Sequence, residues 1–439
     1  MKKFLLAVYV LVSVNSTCHA HFFSTPNSPL LAHYAPKLLK TGSTTVSAHR
    51  QTMKATKAFD ATEHTTPLFE HYGTMNIGSF SKGLEPAAGT ALKAVENKNA
   101  TLHFGDLTNT DRTQSSQTQE AWLLSFKQDL FSGLFCMLDI CKETTSLALH
   151  PFAQGADKDS VEVQNFLRTQ NFFNGHGNDD LLQPTPQSIQ SAETHSAAHI
   201  GWAGGFTQTS SSVQEASGSL SAGYLFQPDF AHHACPLLLP QNISDGFIFQ
   251  LDGSIRLFSH VRIEAHADAT VYNRRSGTAY VVRDASTNSI ETAANIAKRY
   301  SWYQGPLLLG KGTVKKDSGN LYNFSSTVTL DRFYGFACGV MYTFTYQDTT
   351  RLTLEDTTVM SDLKLQPLRK EKRLNSNPKL LEWKHHALTF FCECGPTTTA
   401  YRWIPRLRIH TSYPFLGKRC FKAEDAWGIS SSLSAQWTF

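Results

Sequence analysis

Polar and apolar residues alternate along much of this chain, most clearly over residues 246–273. Between Phe247 and Leu257 every second residue is apolar, with one glycine among them, and after Ile248 the residues between them are the polar Gln250, Asp252, Ser254 and Arg256. A period of two predicts a β-strand with unlike faces. The run is about 11 residues long, which suits a transmembrane strand better than the average globular strand of about 5 or 6.

The next run, Val261 to Val271, alternates in the same way. If the two runs form a hairpin, Leu257 and Val261 must lie on one face, which requires an odd number of residues in the turn. We therefore predict a three-residue turn at Phe258-Ser259-His260.

Other stretches give weaker versions of the same pattern. Predicted strands include 200–206, its partner 220–226 after a turn-rich SSSVQEASG, 324–330, 334–346, 401–410 and the C-terminal ten residues. Residues 122–141 fit either two strands or a buried helix, and Asp157 to Arg168 has the spacing of a short helix. Residues 21–95 are rich in Ser, Thr, Ala, Lys and His with little periodicity, which predicts a flexible extension.

The N-terminus has the features of a secretory signal peptide. Lys2 and Lys3 precede an apolar run from Phe4 to Val14, and the small residues of Cys18-His19-Ala20 follow. We predict cleavage after Ala20. The alternatives are a retained anchor, for which the run is shorter than the ~18 apolar residues of a span, and a lipoprotein anchored at the cysteine. The predicted regions are 1–20 (signal peptide), 21–95 (flexible N-terminal extension) and 96–439 (barrel).

Long strands with one apolar face must have that face covered. In lipid an open sheet edge leaves backbone groups unsatisfied, so the sheet must close. The pattern predicts an all-β protein, a transmembrane antiparallel up-and-down β-barrel of about 12 strands, within a range of about 10 to 14. The alternative is a soluble β-sandwich or β-helix with its apolar faces turned inward.

The last ten residues, SSSLSAQWTF, add a resemblance to this pattern. Leu433, Ala435, Trp437 and Phe439 alternate with polar residues, and the segment resembles the closing strand of Gram-negative outer-membrane β-barrels, although Ser431 stands where an apolar residue is commoner. The resemblance implies an outer-membrane location and recognition by the barrel assembly machinery. The cysteines and the Ser/Thr-rich arm are similar in composition to chlamydial outer-membrane proteins.

Composition narrows the function classes. The net charge of +4 gives no overall case for nucleic-acid binding. Seven cysteines follow the signal peptide, which in an exported protein favours disulfides of undetermined pairing and leaves at least one cysteine over. Cys392 and Cys394 lack a second ligand pair, so no metal site is predicted. No G-x-S-x-G or H-E-x-x-H motif occurs, and the chain is not expected to be an enzyme or to need a cofactor.

If the apolar faces meet lipid, the polar faces line the interior. The candidate pore-lining residues are Arg256, Arg262, Glu264, His266, Asp268, Arg402, Arg406, Arg408 and His410. Arginines on one inner wall would favour anions. The alternative is that they pair with acids elsewhere in the interior or lie among lipid headgroups.

The sequence therefore predicts a porin-like channel for small hydrophilic solutes, with anions favoured if the arginine face lines the pore. The alternative is a surface adhesin or structural envelope protein whose barrel is plugged, for example by residues 21–95. An autotransporter translocator is disfavoured because the region before the barrel is short and featureless.

Overall fold

The structure is a computed structural model, and it describes fourteen segments of the chain. They are residues 43–68, 74–76, 97–103, 116–131, 133–148, 152–169, 188–207, 213–226, 245–258, 260–282, 309–333, 335–355, 381–395 and 403–436. The predicted signal peptide lies outside the described residues.

The described segments consist almost wholly of β-strands. They are β1 (Ser43–Phe59), β2 (Thr65–Pro67), β3 (Thr74–Asn76), β4 (Thr101–His103), β5 (Ser116–Asp129), β6 (Leu134–Ala148), β7 (Phe152–Gln154), β8 (Ser188–Thr207), β9 (Val213–Phe226), β10 (Gly246–Leu257), β11 (Val261–Tyr272), β12 (Arg275–Val282), β13 (Leu309–Asp317), β14 (Leu321–Phe333), β15 (Phe336–Gln347), β16 (Arg351–Leu354), β17 (Trp383–Cys394), β18 (Trp403–Lys418) and β19 (Cys420–Gln436). A single described helix, α1, spans Val161–Thr169, as the spacing of residues 157–168 predicted. No described helix has the length and apolar character needed to cross a membrane.

Twelve strands form a closed antiparallel barrel. Their order is β1, β5, β6, β8, β9, β10, β11, β14, β15, β17, β18 and β19, and β19 pairs back onto β1. The closing ladder runs from Ser43 opposite Gln436 to Phe59 opposite Cys420. Closure pairs the strand edges that an open sheet would leave exposed, and it confirms the predicted all-β barrel of twelve strands.

The two ends of the barrel differ in their connections. At the turn end, where β1 begins and β19 ends, the connecting segments are short: 130–133, 208–212, 258–260, 334–335 and 395–402. At the opposite end, the loop end, they are long: 60–115, 149–187, 227–245, 273–320 and 348–382. Arg419 alone connects β18 to β19 at the loop end, with a φ of 53°. Short turns at one end and long loops at the other are typical of outer-membrane barrels.

The β10–β11 hairpin has the predicted register. Leu257 lies opposite Val261, and the pairing continues to Gly246 opposite Tyr272. The turn begins at Phe258, which has a left-handed φ of 49°, and the amide of His260 donates to the carbonyl of Leu257 at 3.3 Å. The three-residue turn is therefore confirmed, and it keeps apolar residues opposite apolar residues along the ladder.

The apolar face of the barrel points outward. On β10 the side chain of Phe249 is 50% exposed, whereas on β11 the inward-facing His266 is 8% exposed. The large exposed apolar residues on the outer wall include Val46, Trp122, Leu124, Ile200, Trp202, Leu220, Phe247, Leu251, Ile255, Ile263, Phe324, Val328, Leu330, Val340, Phe390, Ile409, Tyr413, Trp427, Ile429 and Leu433. So much exposed apolar surface requires a partner, and hydrocarbon is the partner that fits a belt around a barrel.

Charged residues mark the loop-end edge of this apolar belt. On the outer face Lys54 lies opposite Asp425, next to the rows that carry Trp427 and Trp122. Arg50 and Glu120 form an ion pair at 2.8 Å, and the Arg50 guanidinium lies 5.0 Å from the ring centre of Trp122. Aromatic and ionic side chains together are typical of a membrane interface.

The barrel begins earlier than the sequence predicted. Residues 21–95 were expected to form a flexible extension, but Ser43–Phe59 is a strand of the barrel wall. Its pattern was hard to recognise because the inner face carries Ser47, His49 and Gln51 while the outer face carries few large apolar residues. Residues 60–68 and 74–76 contain the short strands β2 and β3, and residues 21–42, 69–73 and 77–95 lie outside the described part.

The structure also assigns the secondary structure of two other stretches. Residues 116–148 form two strands, β5 and β6, rather than a buried helix. The stretch SSSVQEASG was expected to be a turn, but β9 begins at Val213 and includes its last six residues, because polar side chains are tolerated on the inner face.

Candidate functional site in the barrel interior

Inward-facing side chains are the candidate functional groups because the outer face is apolar. Three parts of the interior differ in charge and exposure. Ionic residues lie near the turn end, a hydrogen-bonded polar network lies at mid-barrel, and two apolar clusters lie among buried polar side chains near the loop end.

The turn-end belt consists of ionic residues near the ends of five strands. Its members are Glu215, Arg256, Arg262, Glu264, Glu393, Arg406 and Arg408. Their side chains are between 13% and 34% exposed, so solvent reaches them. Four arginines face three glutamates, so the belt has one net positive charge.

Glu393 is shared by two arginines of the neighbouring strand. Arg406 Nη1 lies 3.1 Å from Oε1, and Arg408 donates to Oε2 from Nη2 at 2.8 Å and from Nε at 3.1 Å. The Arg408 guanidinium also lies 4.3 Å from the ring centre of Phe391. The β17–β18 register, which places Glu393 opposite Arg408, brings these groups together.

The other belt residues pair locally. Arg256 Nη1 lies 3.0 Å from Oε2 of Glu215 on the adjacent strand, and Arg262 Nη1 lies 3.5 Å from Oε1 of Glu264. Arg256 and Arg262 lie opposite each other across the hairpin. Each arginine therefore has an acid nearby, which offsets the repulsion between the two facing arginines.

A buried polar network occupies the middle of the interior. The imidazole of His266 lies between two carboxylates, with Nδ1 2.5 Å from Asp252 and Nε2 3.1 Å from Asp268. Ser219 donates to Asp252 at 3.0 Å, and Asn323 donates to Asp268 at 2.9 Å. The network connects β9, β10, β11 and β14, and connected groups of this kind rigidify the structure around them.

Further polar contacts connect strands of the barrel that lie outside this network. Ser125 donates to Asp139, and His199 Nε2 lies 3.7 Å from the same carboxylate. His49 and His410 stack with their ring centres 5.1 Å apart. These contacts join β5 to β6 and β8, and β1 to β18.

The interior near the loop end contains two buried apolar clusters as well as buried polar side chains such as Gln117, Thr345 and His385. One buried cluster contains Ala197, Leu225, Ile248 and Tyr272, and a second contains Phe59, Trp383 and Cys420, with Leu321 packed against both.

The predicted pore-lining residues are divided among these parts. Arg256, Arg262, Glu264, Arg406 and Arg408 belong to the turn-end belt, whereas His266 and Asp268 are in the middle network. His410 faces inward against His49, and Arg402 lies outside the described residues. All the described ones face inward, and the arginines pair with interior acids, which was the alternative expectation. Their role in lining a pore stays a prediction.

The closing strand is described in part. Leu433 lies on β19, opposite Val46 of β1, with its side chain on the outer wall. Trp437 and Phe439 lie outside the described residues.

Sequence reasoning did not identify Glu393, Asp139 or His199 as interior partners. The available signal was parity: in HHALTFFCEC, Glu393 alternates with two cysteines and must face away from them. That strand was not recognised because both of its faces carry apolar residues, including Phe390 outside and Phe391 inside.

The six described cysteines form no disulfide bonds. Cys338 and Cys392 lie opposite each other on the outer wall near the turn end, and their Sγ atoms are 3.2 Å apart. The pair is positioned for a cross-strand disulfide. Because no disulfide is formed among the described cysteines, the expectation of disulfides in this chain stays a prediction.

No family model and no curated protein matches the sequence. Similar solved structures include an outer membrane channel (COG4313) from Pseudomonas putida F1, with 6% identity, a TM-score of 0.47 and coverage of 92% of this chain and 100% of that one. A TodX monoaromatic hydrocarbon channel mutant has 8% identity, a TM-score of 0.41 and coverage of 95% and 96%.

The translocator domain of the autotransporter NalP from Neisseria meningitidis is also similar, with 6% identity, a TM-score of 0.33 and coverage of 91% and 90%. Likenesses at this level of identity and TM-score carry no argument about what this chain transports or binds.

Proposed function

We propose that the protein is an outer-membrane β-barrel that forms a narrow, porin-like channel for small hydrophilic solutes. The observation that carries the proposal is the division of the closed wall, whose outer face is exposed and apolar while its inner face is polar and ionic over most of its height. An apolar outer belt suits lipid, and a polar inner wall suits water and polar solutes.

The proposed location is the outer membrane of a Gram-negative bacterium. Export by a signal peptide cleaved after Ala20 and insertion by the barrel assembly machinery belong to the same proposal. The C-terminal strand supports it, because β19 closes the barrel against β1. No nucleic-acid partner, cofactor or enzymatic activity is part of the proposal.

The turn-end belt gives the channel a weak preference for anions. Its one net positive charge is solvent-accessible, so it raises the potential at that mouth. The preference is modest because each arginine has a nearby glutamate.

Single-channel recording in planar bilayers tests the proposal. Full-length protein refolded in detergent should give small discrete current steps, because the buried middle network and the apolar clusters near the loop end narrow the path. A membrane that stays sealed at every voltage, although insertion is shown by protease protection, would reject the channel.

A plugged structural or adhesive barrel is the second candidate. It is favoured by the middle network, in which the side chains of Asp252, His266 and Asp268 are no more than 10% exposed. In this case the long loops at one end would bind the partner. Sealed bilayers combined with saturable host-cell binding, lost when surface loops are cut by protease, would select this candidate.

A further inference from the structure

Three potential metal ligands meet inside the barrel wall, away from the turn-end belt. Cys141 and Glu143 lie two residues apart on β6 and therefore face the same way, and Cys141 lies opposite His195 of β8. All three are buried, with exposures of 0%, 2% and 1%. The strand register thus places a thiol, a carboxylate and an imidazole side by side.

The spacing of these groups is close to that of a coordination sphere. One ligand atom from each residue lies within 4.8 Å of the other two. Tetrahedral zinc, with Zn–S of about 2.3 Å and Zn–N of about 2.0 Å, requires ligand atoms about 3.5 Å apart. Small changes in side-chain torsion angles would close the difference.

The ligand types select the class of metal. Thiolate and imidazole favour zinc and similar transition metals, whereas calcium and magnesium require oxygen ligands. Three protein ligands leave a fourth position for water or another small ligand, as in zinc sites that remain open.

A neighbouring side chain orients the carboxylate. Gln119 of β5 donates to Oε2 of Glu143 at 2.6 Å, and the Cys141 thiol lies 3.7 Å from Oε1. The amide therefore holds one oxygen and directs the other towards the thiol. Outer-shell hydrogen bonds of this kind are common where a carboxylate binds a metal.

We propose that Cys141, Glu143 and His195 bind one divalent transition-metal ion of the zinc class. On binding, the thiol of Cys141 releases its proton to solvent as the metal–sulfur bond forms. The ion would cross-link β6 to β8 inside the barrel. This site does not depend on conduction, so it stands or falls separately from the proposed channel.

Cobalt(II) is the probe, because it occupies zinc sites and reports sulfur ligation by a thiolate charge-transfer band. Full-length protein, refolded in detergent and kept reduced, should bind one equivalent and show this band. Cys141→Ser should lose the band, while His195→Gln and Glu143→Gln should each weaken binding at least about 10-fold.

Cys136→Ser is the matched control, since Cys136 is on the same strand but faces outward. It should bind cobalt like the wild type. Each variant should first be shown to be folded by its altered gel migration without boiling.

X-ray absorption of the zinc-loaded wild type provides a test that needs no variant. It should show one sulfur and two or three nitrogen or oxygen ligands. Several sulfur ligands, a charge-transfer band that survives in Cys141→Ser, or no saturable one-to-one binding would each overturn the proposal.

Discussion

Replacing Glu393 with glutamine removes the acid that two arginines share in the turn-end belt. Arg406 and Arg408 would remain on the inner wall with an amide in place of the carboxylate, and the net charge of the belt would rise by one. Glutamine is nearly isosteric with glutamate, so the wall should keep its shape. The variant therefore tests whether the belt sets the selectivity of a channel.

The size of the effect follows from Coulomb's law. One added charge about 6 Å from a monovalent solute, in a water-like dielectric, changes its energy by about 0.7 kcal/mol, or about threefold in partitioning. Anions gain and cations lose, so the anion-to-cation permeability ratio should rise roughly 3- to 10-fold, and less at high salt because of screening. Loss of charged hydrogen bonds to Glu393 should also destabilise the barrel by roughly 1–3 kcal/mol, with partial exposure favouring the lower value.

The assay is the reversal potential across a planar bilayer under a potassium chloride gradient. Glu393→Gln should move it towards the chloride equilibrium potential, and replacing both Arg406 and Arg408 with glutamine should move it towards that of potassium. Glu120→Gln is the matched control, since Glu120 also pairs with an arginine but faces outward.

An unchanged reversal potential in Glu393→Gln channels of normal conductance would refute the selectivity argument. So would an equal shift in Glu120→Gln, because a charge on the outer wall has no access to the solute path.

Three further predictions address the export, the turn chemistry and the cysteines. Mass spectrometry of the purified outer-membrane protein should find a mature N-terminus at His21; an intact Met1 would contradict the predicted cleavage. Slight burial opposes the shift, but hydrogen bonds from Thr62 and the His64 amide lower the pKa of Asp60. The stability that these bonds provide is therefore present above the ordinary pKa of about 3.9, and it is lost as the pH falls through the lowered value. Pepsin should therefore cut the adjoining hairpin faster as the pH falls in the wild type, with a weaker pH dependence in Asp60→Asn; parallel profiles would contradict this. Mild oxidation should join Cys338 to Cys392, separated by 54 residues, and raise stability by at most about 4 kcal/mol; separate peptides after non-reducing digestion would count against it.

Most of the fold could be predicted from the alternation of apolar and polar residues in the clearest hairpin. Leu257 and Val261 fixed the turn length, and the alternation around them fixed which face is apolar. Those inferences succeed because a strand alternates with a period of two and a one-residue slip would place charged side chains in lipid.

The first strand and the interior partners were beyond this reasoning. The alternation of apolar and polar residues is hidden in β1 because small and polar residues occupy both faces of that strand. It is hidden in β17, around Glu393, because apolar residues occupy both faces. The pairing of Arg408 with Glu393, and of Cys141 with His195, depends on the register between strands, which parity alone does not give.

The most direct test of the account is the lipid exposure of successive residues on β10. Single cysteines placed at positions 248 to 255 in a cysteine-free variant can carry nitroxide labels in proteoliposomes, where oxygen collisions report contact with hydrocarbon. Labels at Phe249, Leu251 and Ile255 should show high oxygen accessibility, and those at Gln250 and Asp252 should show low accessibility. A reversed alternation, or equal accessibility at all positions, would contradict a barrel whose apolar wall faces lipid.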